Sequence, residues 1–562
     1  MFASRLNVSC RFYVERILAA LCCCLAVSVT QATGAEFRGV VLDADSGMPV
    51  AARIYVQDSD GDWLFVETAA SDGSAFPYSE QWVPMPDSTE KHTTVSAHPF
   101  RIELPAGTYT IRIERGKEYL PLSCAITMTD QPQHVDFRLQ RFVNAAERGW
   151  YSGETHVHRR LQELPNVMMA EDLNVAFPVA FWTVRSDRPP DLEPSPLRRQ
   201  GPSPFGARQD AGRNPVFVDR QHVIFPRNTE YEIFSIGDHR HVLGAVFILN
   251  HQSVFRQLVP PVRNLAEQAH REGALLDLDK HSWPWSMMLV PVANVDLFEL
   301  SNNSVWRTNF GFNRVSDSIP DWMKVEYESP GVLTEWGWLQ YGFECWYALL
   351  NCGFRLSPSA GTASGVHPVP LGYSRVYVQT GSSFDYEKWL TGLKAGHSFV
   401  TNGPMLFATI NKEHPGTAHP FSEDGGELPI HVEVVSQFSA SLVEILQNGR
   451  VVASIVPQST VDATGASRTV IDESIAVRTS GWIAVRVIEN QPDGRKRFAH
   501  SAPWYVSVQN RPMRPRREQV EYFLQLMDTE IIRNKDILPA ESLAEFEQAR
   551  DVYQSLLDES EP

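Results

Sequence analysis

The hydrophobic period changes along this chain, and that change requires a mixed architecture with more than one core. From residue 36 to about 142, apolar and polar residues alternate at period two, as in FRGVVLDADSGMPVAARIYV and FRIELPAGTYTIRIERG, with Asp-Ser-Gly, Asp-Gly and Pro-Ala-Gly turn signals between the runs. A strand sends successive side chains to opposite faces, so short runs of this kind bury one face each and stack as a β-sandwich. Between 146 and about 405 the pattern switches. VRNLAEQAHREG has the helical period and stops at Gly273, ALLDLDKH reads as a strand directly after it, and YEKWLTGLKAG is another short helix closed by Gly396. Helix and strand in alternation predict an α/β barrel or sheet with a site at the strand ends. From 406 to about 510, segments such as LPIHVEVVSQ and GWIAVRVIEN return to period two. Residues 511–562 are polar and helix-favouring and predict a helical tail packed on the body. A chain of 562 residues has room for about three domains, which agrees with this division.

The first 35 residues read as a secretory signal. Arg5, Arg11 and Arg16 precede the uncharged apolar run Ile17–Val29, and Thr33-Gly34-Ala35 offers small residues for cleavage after Ala35. The expected location is therefore periplasmic or extracellular. No later run of 18 apolar residues occurs, so no transmembrane span is expected after signal removal. Cys10, Cys22, Cys23 and Cys24 leave with the signal; the remaining Cys124, Cys345 and Cys352 are too few and too odd in number for a disulfide scaffold. Cys345 and Cys352, in FECWYALLNCGF, either pair or pack as small hydrophobes. A formal net charge of −17 disfavours nucleic acid as a partner. The Pro/Arg/Gly-rich stretch RSDRPPDLEPSPLRRQGPSPFGARQDAGRNP reads as a lid or mobile insertion. Asp58, Asp60 and Asp62 have the spacing of a calcium loop, but no Glu follows at the twelfth position, so a hairpin turn is the better reading.

The chemistry concentrates in histidines and acids. His156 and His158 in GWYSGETHVHRR stand two apart, and on a strand both imidazoles leave the same face and can converge on one metal ion. His239 and His241 in GDHRHVLG repeat the spacing, and Glu230 and Glu232 precede them on a shared face. In LLDLDKHSWPW, Asp277, Asp279 and His281 are expected on one face, with Leu276, Leu278 and Lys280 on the other. Two carboxylates and an imidazole suit a divalent ion such as zinc, manganese or iron. Trp283 and Trp285 flank His281 as either an aromatic wall or core packing.

W-Y-S-G-E-T-H-V-H-R resembles the first motif of the PHP-domain metallohydrolases, in particular their carbaryl-hydrolase-like branch. G-H-S-F-V-T-N-G-P at 396–404 is similar to that branch's late signature, and L-G-Y-S-R-V-Y-V at 371–378 to the segment before it. The leading G-V-V-L-D-A-D-S-G-M-P-V-A-A-R-I-Y-V resembles carboxypeptidase-regulatory or transthyretin-like modules. The resemblance implies a distorted (β/α)7 barrel, up to three metals, and hydrolysis of an ester, carbamate or phosphoester bond in a small-molecule substrate. It implies His156, His158, Glu232, His241 and His281 as metal ligands, with Glu230, His239 and Asp277 as alternates. The family's Thr-Asp-His motif is missing from VAFWTVRSDRP, and AGTASGVHPVP places Ala363 and Gly365 where its late Asp and His belong. A site of one metal held by His156, His158, Glu232 and His281 is what these departures leave, with Asp277 or Asp279 as replacement ligands. In a hydrolase of this kind, Asp279 or Glu232, whichever is not itself a ligand, takes the proton of the attacking water, and Arg159 holds the developing oxyanion or an anionic substrate group. The alternative is a non-catalytic relative that kept the barrel to bind a ligand or partner.

Overall fold

A computed structural model describes residues 34–81, 88–191, 212–302, 313–315 and 319–560. The expected signal segment, apart from its last two residues, and positions 192–211 of the expected lid lie outside the described residues.

Alternating residues build the first module as a sandwich. One sheet pairs Ala35–Asp43 with Gln133–Leu139 in parallel and with Phe100–Leu104 antiparallel. The facing sheet holds Ala75–Gln81, Thr89–Val95, Ala52–Gln57, Gly107–Glu114 and Leu122–Met128. Phe37, Phe100 and Phe137 from one sheet and Ile54, Ile111 and Ile113 from the other share one core. In DSDGDW, Asp58 Oδ1 accepts from the Asp60 and Asp62 amides at 3.0 and 2.9 Å, which makes the segment a hairpin turn.

The centre is mixed α/β. Among the described residues, the strands around it include β1 (Trp150–Val157), β2 (Val175–Arg185), β3 (Asn228–Ile236), β4 (His239–Leu249), β5 (Leu275–Leu278), β6 (Leu297–Ser301) and β7 (Ser357–Ala360), with the short Val223–Ile224 also paired to β2. Pairing is parallel for β1–β2, β2–β3, β5–β6 and β6–β7, and antiparallel for β3–β4 and β4–β5. After β7 the chain returns to β1. The Ala363 amide donates to the His156 carbonyl at 2.9 Å, and the His158 amide to the Ser364 carbonyl at 2.9 Å. The circuit of strands thus comes back to its start. All residues of β1, β5, β6 and β7 are buried, as expected of strands covered on both faces.

Around it stand helices α1 (Leu164–Ala170), α2 (Arg263–Arg271), α3 (Ser286–Ala293), α4 (Glu335–Asn351) and α5 (Tyr386–Ala395). Asp385 caps α5 by accepting from the Lys388 amide at 2.9 Å, and Gly396 ends it at φ +75°. On α4 and directly after it, Cys345 and Cys352 are both free and buried, so the packing alternative holds.

The third module is a second sandwich, but no linker separates it from the centre. Ser398–Thr401 pairs on one side with Arg375–Gln379, itself paired to β1, and on the other with Lys496–Ser501. The boundary expected near residue 405 is therefore a shared sheet. Trp150, Tyr377 and Phe399 from the centre enter the same core as Val432, Val443 and Val485. Helices α6 (Arg517–Asn534) and α7 (Ala540–Asp558) return to the central domain, where the Tyr553 hydroxyl donates to the Met287 carbonyl at 2.7 Å. No helix among the described residues is long and apolar enough to cross a membrane.

Candidate metal centre

Inside the strand circuit, β1, β3, β6 and the loop after β5 converge. His156 Nδ1 lies 3.1 Å from Glu299 Oε2 on β6 and 3.5 Å from Asp279 Oδ1. Its Nε2 lies 3.2 Å from His158 Nε2, which is 3.4 Å from Glu230 Oε2 on β3. Two ligand triads result, His156–His158–Glu230 and His156–Asp279–Glu299, each with its donor atoms within 4.8 Å of one another. His156 belongs to both. Glu154 shares the inward period of β1 with the two histidines, and its Oε1 accepts from the Thr362 amide at 2.7 Å, tying the returning segment to β1.

The electrostatics of this interior are unusual. Glu154, Glu230, Glu232, Asp277, Asp279 and Glu299 are all at most 8% exposed. Burial pushes the carboxyls of Glu154 and Glu232 up to about 8 and that of Asp277 to about 7. It also holds Glu230 and Glu299 well above the usual range, with the neighbouring acids Glu232 and Asp279 adding to the first and Asp279 to the second. Burial depresses the imidazole of His156, and the ammonium of Lys280 pushes it the same way. Glu230 Oε2, Asp277 Oδ2 and Glu299 Oε1 accept no hydrogen bond. Buried carboxylate oxygens of this kind are costly unless a proton or a cation meets them. Imidazole and carboxylate donors in this number are the set that zinc, manganese or iron takes, so the residues present fit a divalent ion.

Lys280 supplies the fixed cation of the cluster. Its Nζ contacts both oxygens of Asp279, one at 2.5 Å, and its charge acts on Glu299, Glu232 and Glu230. It was expected on the face of Leu276 and Leu278, away from the acids. β5 ends at Leu278, so the period-two argument does not reach residues 279–281. The same turn sends His281 outward. Its ring packs on Phe298, Trp338 and Tyr341, with centroids 5.7, 5.1 and 5.6 Å away, and neither nitrogen has a partner. His281 is therefore outside both triads. So is His241: the register sets Glu230 opposite Phe247, which leaves His241 toward the hairpin tip, its Nε2 2.7 Å from Asn534 Oδ1 on α6. His239, at the tip itself, is exposed. Glu230 rather than Glu232 stands in a triad, while Glu232 keeps to the same interior beside Lys280 and Asp279. Asp277 is held by the Ser359 hydroxyl at 2.7 Å and joins neither triad.

Arg159 does not turn to the cluster. It pairs with Glu163 at 3.1 Å and lies over the ring of Tyr78 from the first module, 4.5 Å from the centroid. The Tyr78 hydroxyl donates to the His367 carbonyl at 2.7 Å, so that module is seated at the edge of the centre. Trp285 is fully buried in the core. The sequence reading missed Glu299 and Glu154. Glu299 carries a signal, being the lone acid in the apolar strand LFELS, and Glu154 stands two residues before His156 on the same face. Neither a protein-family model nor any curated protein sequence matches the chain.

Proposed function

We propose that the chain is an exported, metal-dependent hydrolase of the PHP type, its strand circuit a distorted (β/α)7 barrel, acting on an ester, carbamate or phosphoester bond. The observation that carries this reading is the convergence of two imidazoles and six buried carboxylates, three of them with an oxygen lacking a hydrogen bond, around a single lysine. That interior is deficient in positive charge, and a divalent cation is what corrects it. The motif likeness of GETHVH, LGYSRVYV and SFVTNGP supports the same reading.

When bound, such an ion supplies Lewis acidity, polarising the scissile group and making a water nucleophilic near neutral pH. One triad would hold it, either His156–His158–Glu230 through His156 Nε2 or His156–Asp279–Glu299 through His156 Nδ1. Glu232 shares the inward face of β3 with Glu230 and stands outside both triads, which favours it over Asp279 as the proton acceptor once the charge of a cation offsets the burial that raises its carboxyl. Lys280 orients the Asp279 carboxylate and offers a positive charge to developing oxyanion character, the part first given to Arg159.

Lys280 also favours a second reading, in which its ammonium substitutes for the ion and the barrel binds a ligand without turnover. The test is hydrolysis of a panel of p-nitrophenyl esters, carbamates and phosphoesters by protein reconstituted with zinc, manganese or iron(II), beside a His158→Ala variant. Metal-dependent turnover lost in the variant is expected. A folded protein that takes up none of the three ions and is inert on the whole panel would favour the second reading.

A further inference from the structure

We propose a second ligand site, for a small oxyanion-bearing molecule whose carboxylate or phosphate group is held by Lys117 and Asn402, in the cavity between the three modules. The cavity measures about 400 Å³, the size of a small-molecule site, and contains no residue of the two metal triads. Its walls come from all three modules: Lys117 and Arg53 from the first, Tyr373, Arg375 and Asn402 from the centre, and Glu489 from the third. Tyr373 and Arg375 belong to LGYSRVYV, and Asn402 to SFVTNGP, so two sequence motifs that supply no metal ligand meet here.

Lys117 is delivered by a turn only glycine can make. Gly116 has φ +50°, and a Cβ there would lie 2.2 Å from the Glu171 carbonyl oxygen. The Lys117 ammonium donates to the Asn402 carbonyl at 2.7 Å and sits 3.5 Å from the centroid of the Tyr373 ring. Among the described residues no carboxylate lies within ion-pair distance of it. An ammonium has three donors, and the carbonyl takes one.

The surrounding cations sharpen the imbalance. Arg53 is matched by Glu114 and Glu171, and Arg497 by Glu335. Arg375, fully buried, donates to the carbonyls of Gly372 at 2.5 Å, Glu171 at 3.0 Å and Asp172 at 3.3 Å, and its charge acts on the buried acids Glu118, Glu154, Glu171 and Asp172. Of the acids whose charge acts on Lys117, Glu114 is paired with Arg53 and Arg112, and Glu489 already accepts from Ser436 and Gln491. Burial, and then the charges of Arg375, Arg497 and Arg53, hold the Lys117 ammonium well below its ordinary range, a repulsion an anion would relieve. Asn402 gives the second, independent mark. Its side chain is fully buried, its Oδ1 accepts from the Phe498 amide at 2.8 Å, and its Nδ2 has no partner. A buried donor without an acceptor asks for one. An oxyanion bridging Lys117 Nζ and Asn402 Nδ2 meets both needs, and a ligand there would couple the two sandwiches to the barrel.

The test is calorimetric titration of the full chain with inorganic phosphate and, separately, with citrate, each against chloride at equal ionic strength. Saturable binding of one or both is expected, phosphate and citrate separating the two oxyanion sources. Lys117→Met should weaken it by ~tenfold or more. Should that variant misfold, the near-isosteric Asn402→Asp keeps the acceptor for Phe498, replaces the free donor with a charge, and should abolish binding. The His156→Ala/His158→Ala double variant should bind as the parent does. Equal affinity in folded Lys117→Met, loss in the histidine variant, or no binding beyond chloride would overturn the proposal.

Discussion

A buried ammonium between carboxylates decides how much charge is left for anything else, and Lys280 holds that place. Its bond to Asp279 and its pull on Glu230, Glu232 and Glu299 compete with an incoming cation for the same oxygens. Lys280→Met therefore has two expected effects of opposite sign. The metal-free protein loses ~3–5 kcal/mol, the cost of leaving buried charges uncompensated, read from urea unfolding. Metal affinity rises by ~tenfold or more, read by competition with a chromophoric chelator. An unchanged affinity would show that Lys280 and the ion do not share the carboxylates. Much of this centre is legible in the sequence at residue level, because His156 and His158 lie on one strand face whatever the strand's neighbours. His281 and Lys280 are not legible, because the two-residue period stops at Leu278 and only tertiary packing sets which of them turns inward. Glu299 is visible as an acid in an apolar strand, but nothing local says what it faces.

The helices show the same division between local and distant causes. The ends of α2 and α5 follow from Gly273 and Gly396, both at positive φ, and the start of α5 from Asp385. The start of α2 has no such signal, since Val262 has no capping side chain. Its cap comes from α7: Glu545 accepts from the Val262 amide at 2.9 Å and from the Arg263 amide at 2.8 Å. Glu545→Ala should cost ~2 kcal/mol, more than the ~1 kcal/mol expected for Asp385→Ala at an exposed local cap. Denaturant midpoints of the two variants check the order. The same bond argues that α7 closes the central domain, so removing residues 540–560 should lower the midpoint further than either substitution.

Across the whole molecule, the period changes foretold two sandwiches and a mixed centre, but not that the second sandwich shares a sheet with it. The SFVT strand reads as an ordinary buried strand, and its two neighbours come from segments on either side in the chain. The charge of the interior also acts at this scale, through pH. Glu154 and Glu232 at about 8 and Asp277 at about 7 hold protons in the folded state that the unfolded chain releases near 4. A folded pKa raised above the unfolded one gives stability that is present at low pH and lost as pH rises through the folded value. The buried imidazoles of His281, His367 and His500, lowered to about 3, act in the opposite sense, but only below the unfolded value of 6.5. Lys117, held below its ordinary value, opposes the acids above that pH and is outnumbered by them. The melting temperature of the metal-free protein should therefore fall between about pH 6.5 and 8, and a bound divalent ion should flatten that fall. A parallel decline with and without metal would separate the acids from the ion.

The metal content of the purified chain tests the central claim most directly, by elemental analysis after reconstitution with zinc, manganese or iron(II), beside the His156→Ala/His158→Ala double variant. The geometry predicts at least one equivalent retained through desalting by the parent and essentially none by the folded variant. A folded parent that retains no metal under any of the three ions, or a variant that retains as much as the parent, would contradict it.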